Sequence, residues 1–435
     1  MKILRAFAGA LSAAILLAPS PAREEDRARV EQTLSLEQSL QRALQNNQRV
    51  LSTRDDIRIA ENQVREVQAQ FYPQAGVNLN ASRYGADRDF VLPADFGSTF
   101  FPRTGDDTKS FYSGRAWLRQ PLYNGGRSIN NLRLAQANVE RARTQYEEIK
   151  NSVIFDATKA FYDLLLLRKQ IELAKKTSKR ISDLSAQIPV TDYRRRAEAQ
   201  AIQNRLRRRL AEKNRLEQKA YLSFLETLGI ELYTSVGISG ELDTTIMPLD
   251  LAKLLAWAQE SRLELRRTDY QREIDRLAVN LSQAERYPVI ALGGAYELNN
   301  SEFPLDSNEW SATLNVSLPL FDGFSSRARI RQRKIQADQS RLQRTEIEDK
   351  IHLEVRDTYG DLMYWQDEML LRETERQRSE ETIAHLEKGG DPVERARTQE
   401  WLLEAEEAYW TAVNGHRVAL ARLEQAVGRP LKEKE

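Results

Sequence analysis

Pro121-Leu122-Tyr123-Asn124-Gly125-Gly126 returns 198 residues later as Pro319-Leu320-Phe321-Asp322-Gly323-Phe324. One such turn is weak evidence of anything; two at a fixed distance point to an internal repeat. The same shift carries Phe161-Tyr162-Asp163-Leu164 onto Tyr359-Gly360-Asp361-Leu362. Glu226 before Gly229 answers Glu424 before Gly428 within one residue of it.

Upstream of the turn the shift becomes 215: Leu34, Leu36, Leu40 and Ala43 match Leu249, Leu251, Leu255 and Ala258, and Tyr72-Pro73 matches Tyr287-Pro288. Two constant shifts place one length difference of 17 residues between Pro73 and Pro121 in the first copy. Helix lengths are held and one loop varies, as expected of a surface loop. The first copy therefore runs over 34–229 and the second over 249–428, with 429–435 as a short tail.

Each copy reads as helix, strand, loop, strand, long helix, turn, helix. The opening helices are expected over 34–71 and 250–286, stopped by Tyr72-Pro73 and Tyr287-Pro288, because proline disfavours helix at the residue before it. Strands follow at about 74–84 and 110–122, and at about 289–299 and 310–318. Trp310, Ala312, Leu314, Val316 and Leu318 alternate with Ser311, Thr313, Asn315 and Ser317. That period of two gives one apolar and one polar face. Ile290, Leu292, Tyr296 and Leu298 repeat the pattern; so do Val77, Leu79 and Ala81 against Asn78, Asn80 and Ser82. The returning strand sets Tyr112, Ala116 and Leu118 against Ser113, Arg115 and Arg119. Lengths of about nine to eleven residues suit tilted membrane strands; by themselves they suit a soluble sheet equally. The stretch Arg83 to Ser110, with Phe90, Pro93, Phe96, Phe100, Phe101 and Pro102, reads as a long external loop.

From about Ser128 to Gln187 neither proline nor glycine occurs. Ile129, Leu132, Ala135, Val139, Ala142, Tyr146, Ile149, Val153, Ala157, Ala160, Leu164, Leu167, Ile171 and Ala174 recur at a mean step of about 3.5, which is coiled-coil spacing. Ile347, Ile351, Val355, Thr358, Leu362, Trp365 and Met369 echo it. Such a helix is about 90 Å long. A plain coiled-coil rod would explain this segment alone. Ile188-Pro189-Val190-Thr191-Asp192 and Gly389-Gly390-Asp391-Pro392 end the long helices. Asp192 and Asp391 are the expected N-caps, and the return helices run to Leu228 and Val427.

Composition narrows the class. The 435 residues are 30% charged and 41% apolar, with a mean hydropathy of −0.61, which excludes a helical membrane protein. The apolar run Ala6 to Ala18 is too short to span a bilayer. Lys2 and Arg5 before it and Ser20-Pro21-Ala22 after it make residues 1–22 an expected signal peptide; a buried helix near a membrane is the alternative. The formal charge of +1 gives no reason to expect nucleic acid. With no cysteine, a lipid anchor at the cleavage site is also excluded.

Four membrane strands cannot close a barrel, since the smallest single-chain barrels have about eight, and open edges are not tolerated in lipid. Strands in a membrane would thus require several copies to share one barrel. Helices longer than the membrane is thick would continue it as a tunnel.

The duplication, the two Pro-Leu-aromatic-Asn/Asp-Gly turns and Thr191-Asp192 at the helical tip resemble the TolC-type outer-membrane efflux proteins, from Leu34 to Gly428. That resemblance implies a mainly α fold with β: a homotrimer with a twelve-stranded outer-membrane barrel continued by a twelve-helix coiled-coil periplasmic α-barrel. It implies an exit duct of a Gram-negative outer membrane, serving a tripartite efflux pump or a type I secretion system. A periplasmic adaptor and an inner-membrane efflux pump or ABC secretion transporter would be its partners. It also implies an acidic periplasmic constriction, which by position falls near Asp391 and Glu394. Arg395 and Arg397 beside them depart from a purely acidic ring. Asp192, Arg194, Arg195 and Arg196 are the candidate tip and adaptor contact; this arginine run and a second, Arg207-Arg208-Arg209, each read as an adaptor contact or an inter-helix lock by charge pairs, against a plainly solvated helix face. Pro121, Gly125, Gly126, Pro319 and Gly323 are the candidate strand-to-helix turn residues.

No enzyme chemistry or cofactor is expected. His352, His385 and His416 show no ligand spacing, and without cysteine no zinc or copper site is expected. The carboxylates fall at helical spacing beside Arg and Lys, as surface pairs do. A periplasmic coiled-coil adaptor or scaffold is the competing reading. It leaves the duplicated strand pairs without a purpose.

Overall fold

A computed structural model describes residues 32–83, 110–300, 305, 307–386 and 390–431. The expected signal peptide, the stretch between the first two membrane-type strands, Gly389 and the last four residues lie outside the described residues.

The first copy opens with β1 (Gln32–Leu34) and α1 (Leu36–Asn46). Ser35 caps α1 through a capping box in which its hydroxyl accepts from Gln38 N–H and the Gln38 side chain accepts from Ser35 N–H. Then follow α2 (Gln48–Ala69), β2 (Gln74–Arg83), β3 (Ser110–Asn124), α3 (Arg127–Ala186) and α4 (Tyr193–Leu228). A bridging segment carries β4 (Val236–Ile238). The second copy gives α5 (Leu251–Ser261), α6 (Leu263–Ala284), β5 (Val289–Asn300), β6 (Ser307–Ser317), α7 (Ser325–Leu386) and α8 (Pro392–Val427).

Two expectations need correction. The opening helices are not continuous: each breaks once, at Asn47 and at Arg262. Both residues have extended backbone, at φ −62°, ψ 126° and φ −67°, ψ 123°. Neither break holds proline or glycine; tertiary hydrogen bonds set them. The Asn47 amide donates to Thr227 O at 2.8 Å while its oxygen caps α2 at Arg49 N–H. The Arg262 guanidinium donates to Ala426 O at 2.9 Å. The second correction is a small parallel sheet, β1 with β4, that joins the chain's start to the bridging segment.

The strand-to-helix turns explain their own sequence. Gly125, Gly126 and Gly323 have φ of 67°, 80° and 64°, where a side chain is strained. Asn124 Oδ1 accepts from Ser128 N–H, and Asp322 Oδ2 from Ser326 N–H, so each polar residue satisfies an N–H that the helix start leaves open. Pro121 lies inside β3, where the ladder shifts register between Pro121 and Tyr123; proline has no N–H for the ladder.

The helices α3 and α7 are 60 and 62 residues long. α3 packs against α2, α4, α6 and α8, and α7 against α6 and α8. Val139, Val153, Ala157, Leu164, Ile171 and Ala174 of the expected stripe are buried; Ile129, at the membrane-facing start, is 52% exposed. Shortened α1–α2 and α5–α6 run beside the upper parts of α3 and α7. α4 and α8 accompany their lower parts. One buried cluster joins Val50, Val153, Phe161, Phe224 and Leu228 in the first copy. Its counterpart joins Leu265, Val355, Leu362, Leu423 and Val427 in the second.

Candidate functional site

The four long strands form one sheet in the order β2-β3-β5-β6. Val77 pairs with Ala116, Ala116 with Tyr296 and Tyr296 with Trp310. The next apolar row runs from Ala75 through Leu118 and Gly294 to Ala312. Registry thus puts most of the large apolar residues of all four strands on one face. That face is open: Val77, Leu79, Trp310, Leu314 and Val316 are each 61–82% exposed. So large an apolar patch on a monomer marks a surface for lipid or protein.

The other face holds Asn78, Asn80, Ser113, Arg115, Arg119, Glu297, Glu309, Thr313 and Asn315. Asn78, Arg115, Glu297 and Glu309 stand opposite one another as a row across all four strands. Trp117 also lies on this face, an aromatic that alternation alone does not explain. Its partner is Gly76, where a Cβ would come within 2.7 Å of the indole, so the absent side chain makes room for the ring.

At the far end of the helices the candidate tip residues come together in part. Asp192 caps α4, its Oδ1 accepting from Arg195 N–H at 3.1 Å. Asp391 takes the N-cap position of α8 but makes no capping hydrogen bond, contrary to expectation. Its carboxylate turns instead to Arg195, at 3.5 Å, which also lies 3.5 Å from Asp192. Arg194 pairs with Glu198 at 3.6 Å and is otherwise solvated, and Arg196 is exposed. Glu394 is exposed in the first turn of α8.

A longer feature joins the same helices and includes Arg209 of the second arginine run; its other members were not singled out from sequence. Arg205 makes two bonds to Glu400, at 2.9 and 2.7 Å. Arg209 reaches Glu404 at 3.2 Å and Glu407 at 2.7 Å; Lys213 lies 3.5 Å from Glu407. Lys213 also donates to Gln170, which is 3% exposed and bonds Thr411. The hydrogen bond to Glu400 raises the Arg205 pKa above its ordinary value. The signal was legible in outline: Arg205, Arg209 and Lys213 recur every four residues, and so do Glu400 and Glu404. Of the second arginine run, it is Arg209 that enters this ladder.

Among the described residues no group of three His, Asp or Glu side chains is placed to hold a metal ion, and no helix is long and apolar enough to cross a membrane. A four-stranded sheet with a lipid-compatible face, carried on helices of about 90 Å, is the arrangement to be matched.

The family model for outer membrane efflux proteins matches residues 39–199 and 254–429. The chain belongs to that family. Like other outer membrane efflux proteins, it lies in the outer membrane of a Gram-negative cell, with its long helices in the periplasm. Protein CyaE of Bordetella pertussis is 26% identical over 222 residues, 48% of this chain and 47% of its own length. The match thus spans about half of that relative. The outer membrane efflux protein BepC of Brucella suis is 24% identical over 343 residues, 74% of this chain and 69% of its own length. Among solved structures, the CusC channel aligns with a TM-score of 0.73 at 15% identity, over 92% of this chain and 93% of that one. The open MtrE outer membrane channel of Neisseria gonorrhoeae aligns with a TM-score of 0.74 at 17% identity, over 91% and 89%. Both likenesses show the TolC-type channel fold for this efflux protein.

Proposed function

We propose that three copies of this chain close one twelve-stranded barrel and one twelve-helix periplasmic tube. The tube serves as the exit duct of a tripartite efflux pump or a type I secretion system. The observation that carries the reading is the sheet: among the described residues it has four strands, one largely apolar face and two edges that no described strand pairs. Free edges in lipid leave unpaired N–H and C=O groups, each costing several kcal/mol by rough estimate. Copies of the same sheet remove them by closing a ring, and twelve strands leave a lumen lined by the polar face. Small molecules or proteins pass through it. A periplasmic adaptor and an inner-membrane pump or ABC transporter supply cargo and energy.

At the periplasmic end, Asp391 and Glu394 are the proposed constriction. Asp192, Arg194, Arg195 and Arg196 are the proposed adaptor contact. Exposed Tyr193 and Val190 beside them support that placement, at 81% and 69%. Pro121, Gly125, Gly126, Pro319 and Gly323 join strand to helix and touch no cargo.

Multi-angle light scattering of the detergent-purified protein tests the reading. A protein mass near three times that of the chain without its signal peptide, somewhat below three times 50.1 kDa, is expected. A monomer would contradict the shared barrel.

A further inference from the structure

We infer that the turn into α7 is a docking surface for anionic phospholipid headgroups of the periplasmic leaflet. The surface lies within one chain and does not depend on the trimer. It begins at a mismatch between the two copies: Asn124-Gly125-Gly126 becomes Asp322-Gly323-Phe324. Gly126 has φ of 80°. Phe324 takes its place at φ of 67°, the one non-glycine residue at positive φ among the described residues. A bulky side chain is strained there. Core packing does not offset the strain, because Phe324 is 59% exposed. Its ring stands edge-on to that of Phe321, 76% exposed, with centroids 5.5 Å apart.

These rings continue the apolar face of the sheet. Leu318 and Leu320 carry the alternation of Leu314 and Val316 past the end of β6, and Leu320 is 90% exposed. The chain lies in the outer membrane with α7 in the periplasm, so this turn stands where hydrocarbon gives way to headgroups. Aromatic side chains collect at that depth.

Charge identifies the occupant. Residues 325–334 hold Arg327, Arg329, Arg331, Arg333 and Lys334 and no acid; the matching stretch 127–136 holds only Arg127 and Arg133. Glu285 neutralises Arg329 at 2.8 Å. Among the described residues Arg286, Arg327, Arg331 and Lys334 form no ion pair. Arg327, Arg331 and Lys334, spaced by four and three, share one face of the helix. The Arg327 guanidinium lies over the Phe324 ring at 5.2 Å. A cleft of 170 Å³ opens between Arg286, Leu320, Phe321, Phe324 and Arg327. The acids at its rim are engaged, Glu285 with Arg329 and Asp322 with Ser326 N–H. Unpaired guanidiniums beside an apolar wall suit a lipid phosphate whose acyl chains run along the sheet.

The test is native mass spectrometry of the detergent-purified full chain offered dioleoyl-phosphatidylglycerol, with dioleoyl-phosphatidylcholine and inorganic phosphate as separate arms. The unaltered protein is expected to retain phosphatidylglycerol and neither of the others. Each interfacial cation removed costs about fivefold in affinity, so Arg327→Gln with Arg331→Gln and Lys334→Gln is expected to lose on the order of a hundredfold. Arg127→Gln with Arg133→Gln, at the matching turn, is expected to retain the lipid. Phe324→Gly is expected to bind less lipid yet melt higher in lipid-free detergent, because its strain is gone. A Phe324 that served only packing would lower the melting temperature instead. Unchanged retention in the triple variant, equal loss at the first-copy turn, or equal retention of phosphatidylcholine overturns the inference. So does retention of inorganic phosphate in place of lipid. Light scattering of the same samples keeps this apart from the trimer: a monomer that still retains phosphatidylglycerol contradicts the shared barrel and leaves the headgroup surface standing.

Discussion

Asn47 and Arg262 occupy one place in the two copies, and each holds the carbonyl end of the helix that returns beside it. Asn47 bonds Thr227 O, next to the end of α4; Arg262 bonds Ala426 O and Gln425 O at the end of α8. A cation at a helix C-terminus is favoured by the helix dipole. Arg262 also pairs with Glu264 and Glu354 at 2.9 and 2.8 Å while being 8% exposed.

Removing these residues should therefore cost unequally. Asn47→Ala loses a cap and one tertiary bond, about 1–2 kcal/mol. Arg262→Ala leaves two carboxylates facing the space, about 2–3 kcal/mol, less than for a fully buried pair because both carboxylates stay partly solvated. Thermal melts in detergent should show the larger drop for Arg262→Ala. Equal drops would contradict the assignment.

Gly415 offers a case where two effects oppose. Alanine is the better helix former by about 1 kcal/mol. A Cβ on Gly415, however, would overlap the Trp365 ring of α7. Overpacking costs about 1–3 kcal/mol, so Gly415→Ala should lower the melting temperature. A rise would mean that the α7–α8 hairpin yields without cost.

His416 is 2% exposed and its Nδ1 has no hydrogen-bond partner. Burial lowers its pKa below 6.5, with Arg417 adding to the effect and Asp243 opposing it. The unfolded chain takes up a proton near pH 6.5 while the folded chain resists. Stability is therefore complete above that pH and falls as pH drops toward the lowered folded value. The melting temperature should fall between about pH 7.5 and 5.5, and His416→Gln should fall less. An identical pH dependence in the variant would remove His416 as the cause.

Replacing Asp391 and Glu394 together by alanine should raise single-channel conductance in planar bilayers or reduce cation preference. Asp391→Ala also frees Arg195 from one of its two carboxylates. If conductance and ion preference both stay unchanged, neither residue forms the constriction.

Periodicity carried much of the fold. The expected long helix over 128–187 is found at Arg127–Ala186, and the return helices end where Gly229 and Gly428 adopt positive φ. Strand faces were legible because alternation is local. The breaks at Asn47 and Arg262 were not, since their cause is a carbonyl more than 160 residues away. The β1–β4 pair escaped for a similar reason: three-residue strands carry no period, and their partners lie about two hundred residues apart. At the tip, sequence placed the charges but not their pairing. The turn of Asp391 toward Arg195 depends on how two helices meet, not on the residues beside either one.

The 60 residues of α3 without an interruption make it a lever as well as a wall. With its upper end fixed in the sheet, a tilt of about 5° displaces the lower end of a rod about 90 Å long by roughly 8 Å. Adjustments too small to disturb packing near the membrane thus add up, by leverage alone, to a wide movement at the opposite end.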